Sequence, residues 1–256
     1  MRLRVLTLNV QNETGDPRRT ALLRREIRRL RPDLLALQEV RHPDQLARLL
    51  DGAGLHATHQ VSLIGEPPPA LAEYGGTVVA TRRPHRVAEV RENRTGAHWW
   101  TVAVAVGPGV LFVVPTTPWQ PAAADARVAQ AADVCALLDR HRKATAVVAG
   151  DLNAEPDSAE VRALTGDGLV DAWAAAGTGP GHTWTAGNPL AAAEMSRLSL
   201  GTGHRRIDYV FAGPAGRVTV AAARLVADRP VGGVWLSDHA GVLADLAVRE
   251  PPGTRP

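Results

Sequence analysis

In the stretch TAVVAGDLNAEPDS, residues 145–158, small and β-branched residues run into Gly150, and then an acid and an amide follow one residue apart, Asp151 and Asn153. Alternate side chains on an extended backbone share a side, so the spacing predicts that both aim at one point past the end of a buried strand. The same kind of group recurs wherever a strand should end. Asn9 closes RLRVLTLN (2–9), Glu39 follows Gln38 in DLLALQEV (33–40), Asp208 lies inside RIDYVF (206–211), and Asp238 and His239 stand just before AGVLADLAV (240–248). Carboxylates and amides without thiolates suit a hard divalent cation, Mg2+ above all, with Mn2+ as a substitute. Such an ion keeps several waters and takes only one or two protein carboxylates, so Glu39 with Asn9 beside it would suffice. A lone aspartate at a strand end is ordinarily a turn former or a cap, and a lone histidine is as ordinarily a core residue. What counts is that five separate strand ends deliver such groups.

Those groups need a scaffold that gathers strand ends. Strand-like runs at 75–82, 99–106, 110–116, 145–150 and 217–226 join those above, and helix-like runs lie between them. Asp16 with Pro17 reads as a helix start. RRTALLRREIRRL then places Leu22, Leu23, Ile27 and Leu30 on one face and six arginines on a solvated one. A second helix follows Pro43 and stops at Gly52 or Gly54; a third spans 124–142 with Val128, Ala131, Cys135 and Leu138 inward and Cys135 as core filler. Two stretches, 62–74 and 186–204, read as long loops, either functional rims or disordered. The tail 250–256 reads as disordered. Without a low-complexity linker or a repeat, the pattern predicts a single α/β domain over 1–249, sheets inside and helices outside.

Composition narrows the function classes. The net charge of +3 and pI near 9.7 come almost wholly from arginine, since Lys143 is the only lysine, and 26 acids balance 29 bases. That balance favours an anionic partner only weakly and leaves nucleic acid open. No apolar run is long enough to cross a membrane. The N-terminal segment lacks a secretory pattern. The single cysteine, Cys135, excludes an internal disulfide and suits a reducing compartment. The expectation is a cytoplasmic protein.

Six segments, in order, resemble the endonuclease/exonuclease/phosphatase superfamily of DNase-like, metal-dependent phosphoesterases: TLNVQN (7–12), PDLLALQEV (32–40), YGGTVVATRRP (74–84), VVAGDLNAEPDS (147–158), RRIDYVF (205–211) and LSDHAGV (236–242). The resemblance implies an α/β (α+β) fold, a four-layer α/β/β/α sandwich of two packed mixed sheets, with a magnesium site at one end. It gives Glu39 the place of the principal metal ligand, with Asn9 supporting metal or phosphate. Asp151 takes the place of the residue that orients or deprotonates the attacking water, and Asn153 would bond that water or a phosphate oxygen. His239 resembles the imidazole at the scissile phosphate, Asp208 the carboxylate that fixes its tautomer, and Asp238 a neighbour of the metal or nucleophile.

One position departs from the family pattern. Where many members carry a histidine in a Thr-His-Leu context, VVPTTPW (113–119) offers Thr117, which can bond a phosphate oxygen but carries no proton near neutral pH. Trp119 beside it either stacks on a base or sugar or caps the core. Trp99, Trp100 and Trp173 read as packing residues and Trp184 as a pocket wall. Arg82 or Arg205 could hold a distal phosphate or serve the surface. Three readings follow: a magnesium-dependent hydrolase of phosphodiesters, toward which the resemblance leans; a phosphomonoesterase of a small metabolite; and a phosphate-binding protein whose chemistry is lost through Thr117.

Overall fold

The computed structural model describes all residues except 65–70, 72, 73, 93–99, 108, 202 and 250–256. The tail, Trp99 and much of the first long stretch therefore lie outside the described residues. Period-two alternation along buried strands determines the architecture. In β1 (Arg2–Asn9), Val5 packs inward between two sheets, while Leu6 and Leu8 pack outward against helices. In β2 (Leu34–Val40), Leu34 and Ala36 face inward and Leu35 and Leu37 outward. Such two-sided strands read as near-continuous apolar runs.

The first sheet has six strands in the order β13-β14-β1-β2-β4-β3. Here β3 is His56–His59, β4 is Gly76–Thr81, β13 is Val218–Val226 and β14 is Gly241–Val248. The second has the order β5-β6-β7-β8-β12-β9. It contains β5 (His85–Glu92), β6 (Trp100–Val106), β7 (Val110–Pro115), β8 (Thr145–Asp151), β9 (Val170–Asp171) and β12 (Asp208–Gly213). A hairpin of β10 (Trp184–Thr185) and β11 (His204–Arg205) stands apart. Each large sheet has one parallel pair, β1 with β2 and β7 with β8. A parallel pair needs a crossover, and α1 (Arg19–Leu30) and α3 (Ala124–Arg140) supply the two. With α2 (Asp44–Leu50), α1 covers the first sheet; α4 (Ala159–Gly166) joins α3 over the second. The result is two mixed sheets packed face to face with helices outside, as the α/β expectation held.

Several local expectations need correction. Asp16 does not cap α1. Its carboxylate takes the Arg18 N–H at 2.8 Å, and the helix begins at Arg19. Arg19 is not on the solvated face either, because it is buried beneath the loops that follow β1. The inward face of α3 is Arg127, Gln130, Ala131, Val134, Leu137 and Leu138; Val128 is only half-buried, and Cys135, also half-buried, packs against that core as filler. The stretch 186–204 is no loop throughout: α6 (Pro189–Arg197) follows the short α5 (Ala172–Ala176) in chain order and begins where Asn188 caps it, accepting the Leu190 N–H. Asn then Pro is a helix-start signature, and the Leu-Ala-Ala-Ala-Glu run that follows favours a helix. Arg82 bonds the carbonyls of Ala53 and Pro32, a structural role, while Trp173 is buried in the inner core.

Candidate active site

The inward parity of the strands carries polar groups to one end of the sandwich. Val5 faces inward, so Asn9 does too; Val147 and Ala149 bring Asp151 with them; Val210 and Ala212 bring Asp208. Asp208 pairs directly across from Asp151 in the antiparallel β8–β12 ladder. Two carboxylates placed opposite each other repel, and the arrangement persists because neighbouring groups bind each of them.

Glu39 reaches the same place by another route. Parity would send it outward after Leu37, but the β2–β4 register shifts between Leu37 and Val40, and Glu39 adopts φ 59°. The bulge adds a residue, so Val40 returns to the outer core and Glu39 turns to the cleft. A left-handed non-glycine is uncommon and clusters at functional sites. Gly75 lies against this bulge with φ +79°, and a Cβ there would stand 2.6 Å from the Glu39 carbonyl carbon. Gly75→Ala is expected to destabilise the fold by roughly 1–3 kcal/mol and to displace Glu39, which urea denaturation and metal titration would register.

Asn9 joins the carboxylates. Its Nδ2 donates to Glu39 Oε1 at 2.9 Å and to Asp151 Oδ2 at 3.3 Å, while its Oδ1 accepts the Gln11 N–H at 2.9 Å. It therefore presents a donor, not an acceptor, to the cleft carboxylates. Asn153 does not continue the strand; at φ 50° it turns, and its backbone N–H caps Asp151 Oδ1 at 2.9 Å. Strand alternation therefore does not extend to Asn153, although it and Asp151 line the same cleft. Thr117 Oγ1 donates to the Asp151 carbonyl at 3.2 Å, so its hydroxyl holds the strand end.

His239 Nδ1–H donates to Asp208 Oδ2 at 2.8 Å, and Nε2 lies 3.9 Å from Asp151 Oδ2. Thr183 Oγ1 accepts the backbone N–H groups of Ile207 and Asp208, and Ser237 Oγ, which accepts the His239 N–H, donates to Asn9 O. Sequence reading missed both hydroxyls: Thr183 ties β12 to the segment before β10, and Ser237 ties the loop before β14 to β1. It also missed Arg19, whose guanidinium donates to carbonyls of Val10, Gln11, Thr14 and Leu236 and pins the loop that follows Asn9 to the loop bearing Asp238.

The titrations follow from this crowding. Burial, then the charge of Asp238, pushes the Glu39 carboxyl up to about 7 although part of its side chain still faces the cleft; the Asn9 hydrogen bond opposes the shift. Burial, then the charge of Asp208, lifts Asp151 to about 6 against the pull of His239. Burial disfavours the His239 imidazolium, but the charges of Asp208, Asp238 and Asp151 outweigh it and hold the ring protonated well above its ordinary value.

Asp151, Asp208 and His239 offer donor atoms all within 4.8 Å of one another, a candidate metal cluster among the described residues. Geometry argues for a different use, because Asp208 Oδ2 is engaged by the imidazole. Glu39 and Asp238 fit a hard cation better: they are oxygen donors of like charge in one cleft, and burial followed by the charge of Asp238 raises the Glu39 carboxyl. The cleft, about 590 Å3, also takes in Trp119, Trp184, Arg205 and residues of the α6 end.

A model of the endonuclease/exonuclease/phosphatase family matches residues 6–239. The chain belongs to that family. Solved structures share the fold of this family member. A humanized D. rerio TDP2 is 18% identical over 96% of this chain and 99% of its own, with TM-score 0.74. D. rerio TDP2 complexed with single strand DNA product is 19% identical over 96% and 99%, TM-score 0.74. An endonuclease/exonuclease/phosphatase from Beutenbergia cavernae DSM 12333 is 24% identical over 99% and 73%, TM-score 0.70. Among curated proteins, none matches the chain. Family and fold together make this a hydrolase of phosphoester bonds. No helix of the described residues is long and apolar enough to cross a membrane.

Proposed function

We propose that this protein is a Mg2+-dependent phosphodiesterase, hydrolysing its substrate by in-line attack of water on phosphorus. The observation that carries this reading is the juxtaposition, in one cleft, of the Asn9–Glu39 pair with the Asp151–His239–Asp208 chain. Glu39 and Asp238 would hold the cation, with Asn9 orienting Glu39. When bound, the ion supplies Lewis-acid neutralisation of charge on the phosphoryl oxygens.

The chain's own groups do the rest. Asp151, fixed by the Asn153 N–H and Asn9 Nδ2, orients a water and takes its proton; a carboxyl titrating near 6 is a competent base at neutral pH. Asn153 and His239 bond the phosphoryl oxygens, and the imidazolium offers Nε2–H where charge builds. Asp208 fixes the tautomer by occupying Nδ1. Thr117 acts through Asp151, holding its carbonyl, so no second imidazole protonates the leaving group from that position. A nucleotide phosphodiester is the favoured substrate chemistry, since a TDP2 of the same fold is complexed with single strand DNA product.

The test uses purified protein with Mg2+ on bis-p-nitrophenyl phosphate, p-nitrophenyl phosphate and supercoiled plasmid, with EDTA and Asp151→Ala controls. EDTA-sensitive cleavage of the diester or plasmid but not the monoester is expected. Cleavage of the monoester alone would replace this reading with a phosphomonoesterase. Silence on all three with metal still bound would make the protein a binder.

A further inference from the structure

Trp119 is 40% exposed and lines the cleft, so it does not cap the core. The loop that carries it is nonetheless tightly held. Arg127 Nη1 donates to the carbonyls of Pro118 at 3.1 Å and Gln120 at 2.9 Å, the two residues that flank Trp119. Its Nε pairs with Glu160 Oε1 at 2.9 Å, and both side chains are more than nine-tenths buried. From the same helix, Gln130 Nε2 donates to Thr116 O at 2.8 Å. Burying an ion pair is costly unless its hydrogen bonds are satisfied, and here those bonds fix the backbone on either side of one exposed indole. A ring presented on rigid backbone binds without an ordering cost.

The rest of the cleft points the same way. Of four large apolar side chains exposed among the described residues, two, Tyr74 and Trp119, are in it. Its arginines are engaged: Arg205 Nε donates to Glu155 Oε1 at 2.6 Å, and Arg197 Nη2 to Glu194 Oε1 at 2.5 Å. Proteins that follow a nucleic-acid backbone do so with cations that neutralise successive phosphates; here each cleft guanidinium already has a carboxylate.

Resting on the phosphodiesterase reading, we infer that the cleft selects a short phosphodiester with a planar ring beside the scissile phosphate, of nucleotide size, and that Trp119 is the surface on which that ring stacks. The volume of about 590 Å3 suits a ligand of that size.

The test compares a thymidine dinucleotide with the same dinucleotide lacking one base, and with a 20-nucleotide single strand. Wild type, Trp119→Ala and Trp119→Phe are assayed with Mg2+. The intact dinucleotide should exceed the abasic one in kcat/KM by about 5- to 100-fold, Trp119→Ala should erase that preference, and Trp119→Phe should keep most of it. Between 50 and 200 mM salt the dinucleotide and the long strand should show the same shallow dependence. A preference surviving Trp119→Ala, or a kcat/KM that climbs with length and falls steeply with salt, would overturn the inference. Phenyl methyl phosphate, a ring diester without a sugar, separates ring recognition from nucleoside recognition: cleavage as fast as the dinucleotide would assign the site to aryl diesters. Calorimetric binding of both dinucleotides to Asp151→Asn protein with Mg2+ reads the ring preference without turnover. Absence of hydrolysis thus counts against the phosphodiesterase, and absence of a ring preference in binding counts against Trp119.

Discussion

Replacing Asp208 by alanine is expected to lower kcat by about 10³- to 10⁴-fold while changing affinity for the cation by no more than roughly threefold. Asp208 Oδ2 accepts the His239 Nδ1–H at 2.8 Å and is the largest stabilising influence on the imidazolium, so its loss frees the tautomer and weakens the positive charge at the phosphoryl oxygens. The residues proposed to hold the cation, Glu39 and Asp238, are different ones, on the β2 bulge and in the loop before β14. The same substitution carries a second signature. The charge of Asp208 is what, after burial, raises Asp151 to about 6, so without it the acid limb of the pH–kcat profile moves to lower pH. Asp208→Asn, which keeps the shape, should share the lost turnover. Steady-state kinetics with Mn2+ titration followed by electron paramagnetic resonance separates the two effects. Equal losses of turnover and affinity would make Asp208 a metal ligand, as its place in the Asp151–Asp208–His239 cluster allows.

How far such a site can be read from sequence depends on which rule positions each residue. Asn9, Asp151 and Asp208 continue strict alternation from Val5, Val147 and Val210, so the apolar pattern that builds the inner core also aims the polar ends. The central strands of both large sheets are legible for the same reason, as runs of Val, Leu and Ala buried on both faces, whereas the edge strands β3, β5 and β9, which lack such runs, are not. Glu39 breaks that rule. Its residue type suggested a ligand, but only a bulge and a left-handed φ turn it inward, and neither has a signal in LQEV. Asn153 reaches the same cleft through a turn at φ 50° and not by strand alternation. Arg19 was illegible because six arginines on one helix look alike in sequence; which one is buried depends on carbonyls supplied by residues 10–14 and 236, far along the chain. Composition likewise concealed the Trp119 clamp. Arg127 and Glu160 are separated by the whole of β8, and only the packing of α3 against α4 brings them together.

Glu39→Gln is expected to weaken cation binding by about 10²-fold or more and to stabilise the metal-free protein at pH 8, two effects of opposite sign from one atom pair. The Glu39 carboxyl sits at about 7 and Asp151 at about 6 in the fold, both above their ordinary values near 4.5 and 3.8. A raised carboxyl binds its proton more tightly when folded, so its contribution is fully present below the unfolded value and is lost as pH rises through the folded one. His239, also raised, acts in the same direction. The metal-free protein should therefore lose stability between about pH 4 and pH 7, with Tm several degrees lower at pH 8 than at pH 5. Mg2+ compensates the charges that the higher pH creates, so its stabilisation should be larger at pH 8. A neutral amide at position 39 removes the repulsion with Asp238 and the pH-dependent loss, together with the reason for a cation to bind. Differential scanning fluorimetry at pH 5 and 8, with EDTA or Mg2+, gives all four values for each protein. A variant whose metal-free Tm at pH 8 is unchanged or lower would show that the bulge holds Glu39 through contacts its charge does not oppose, and the electrostatic account of the site would fail.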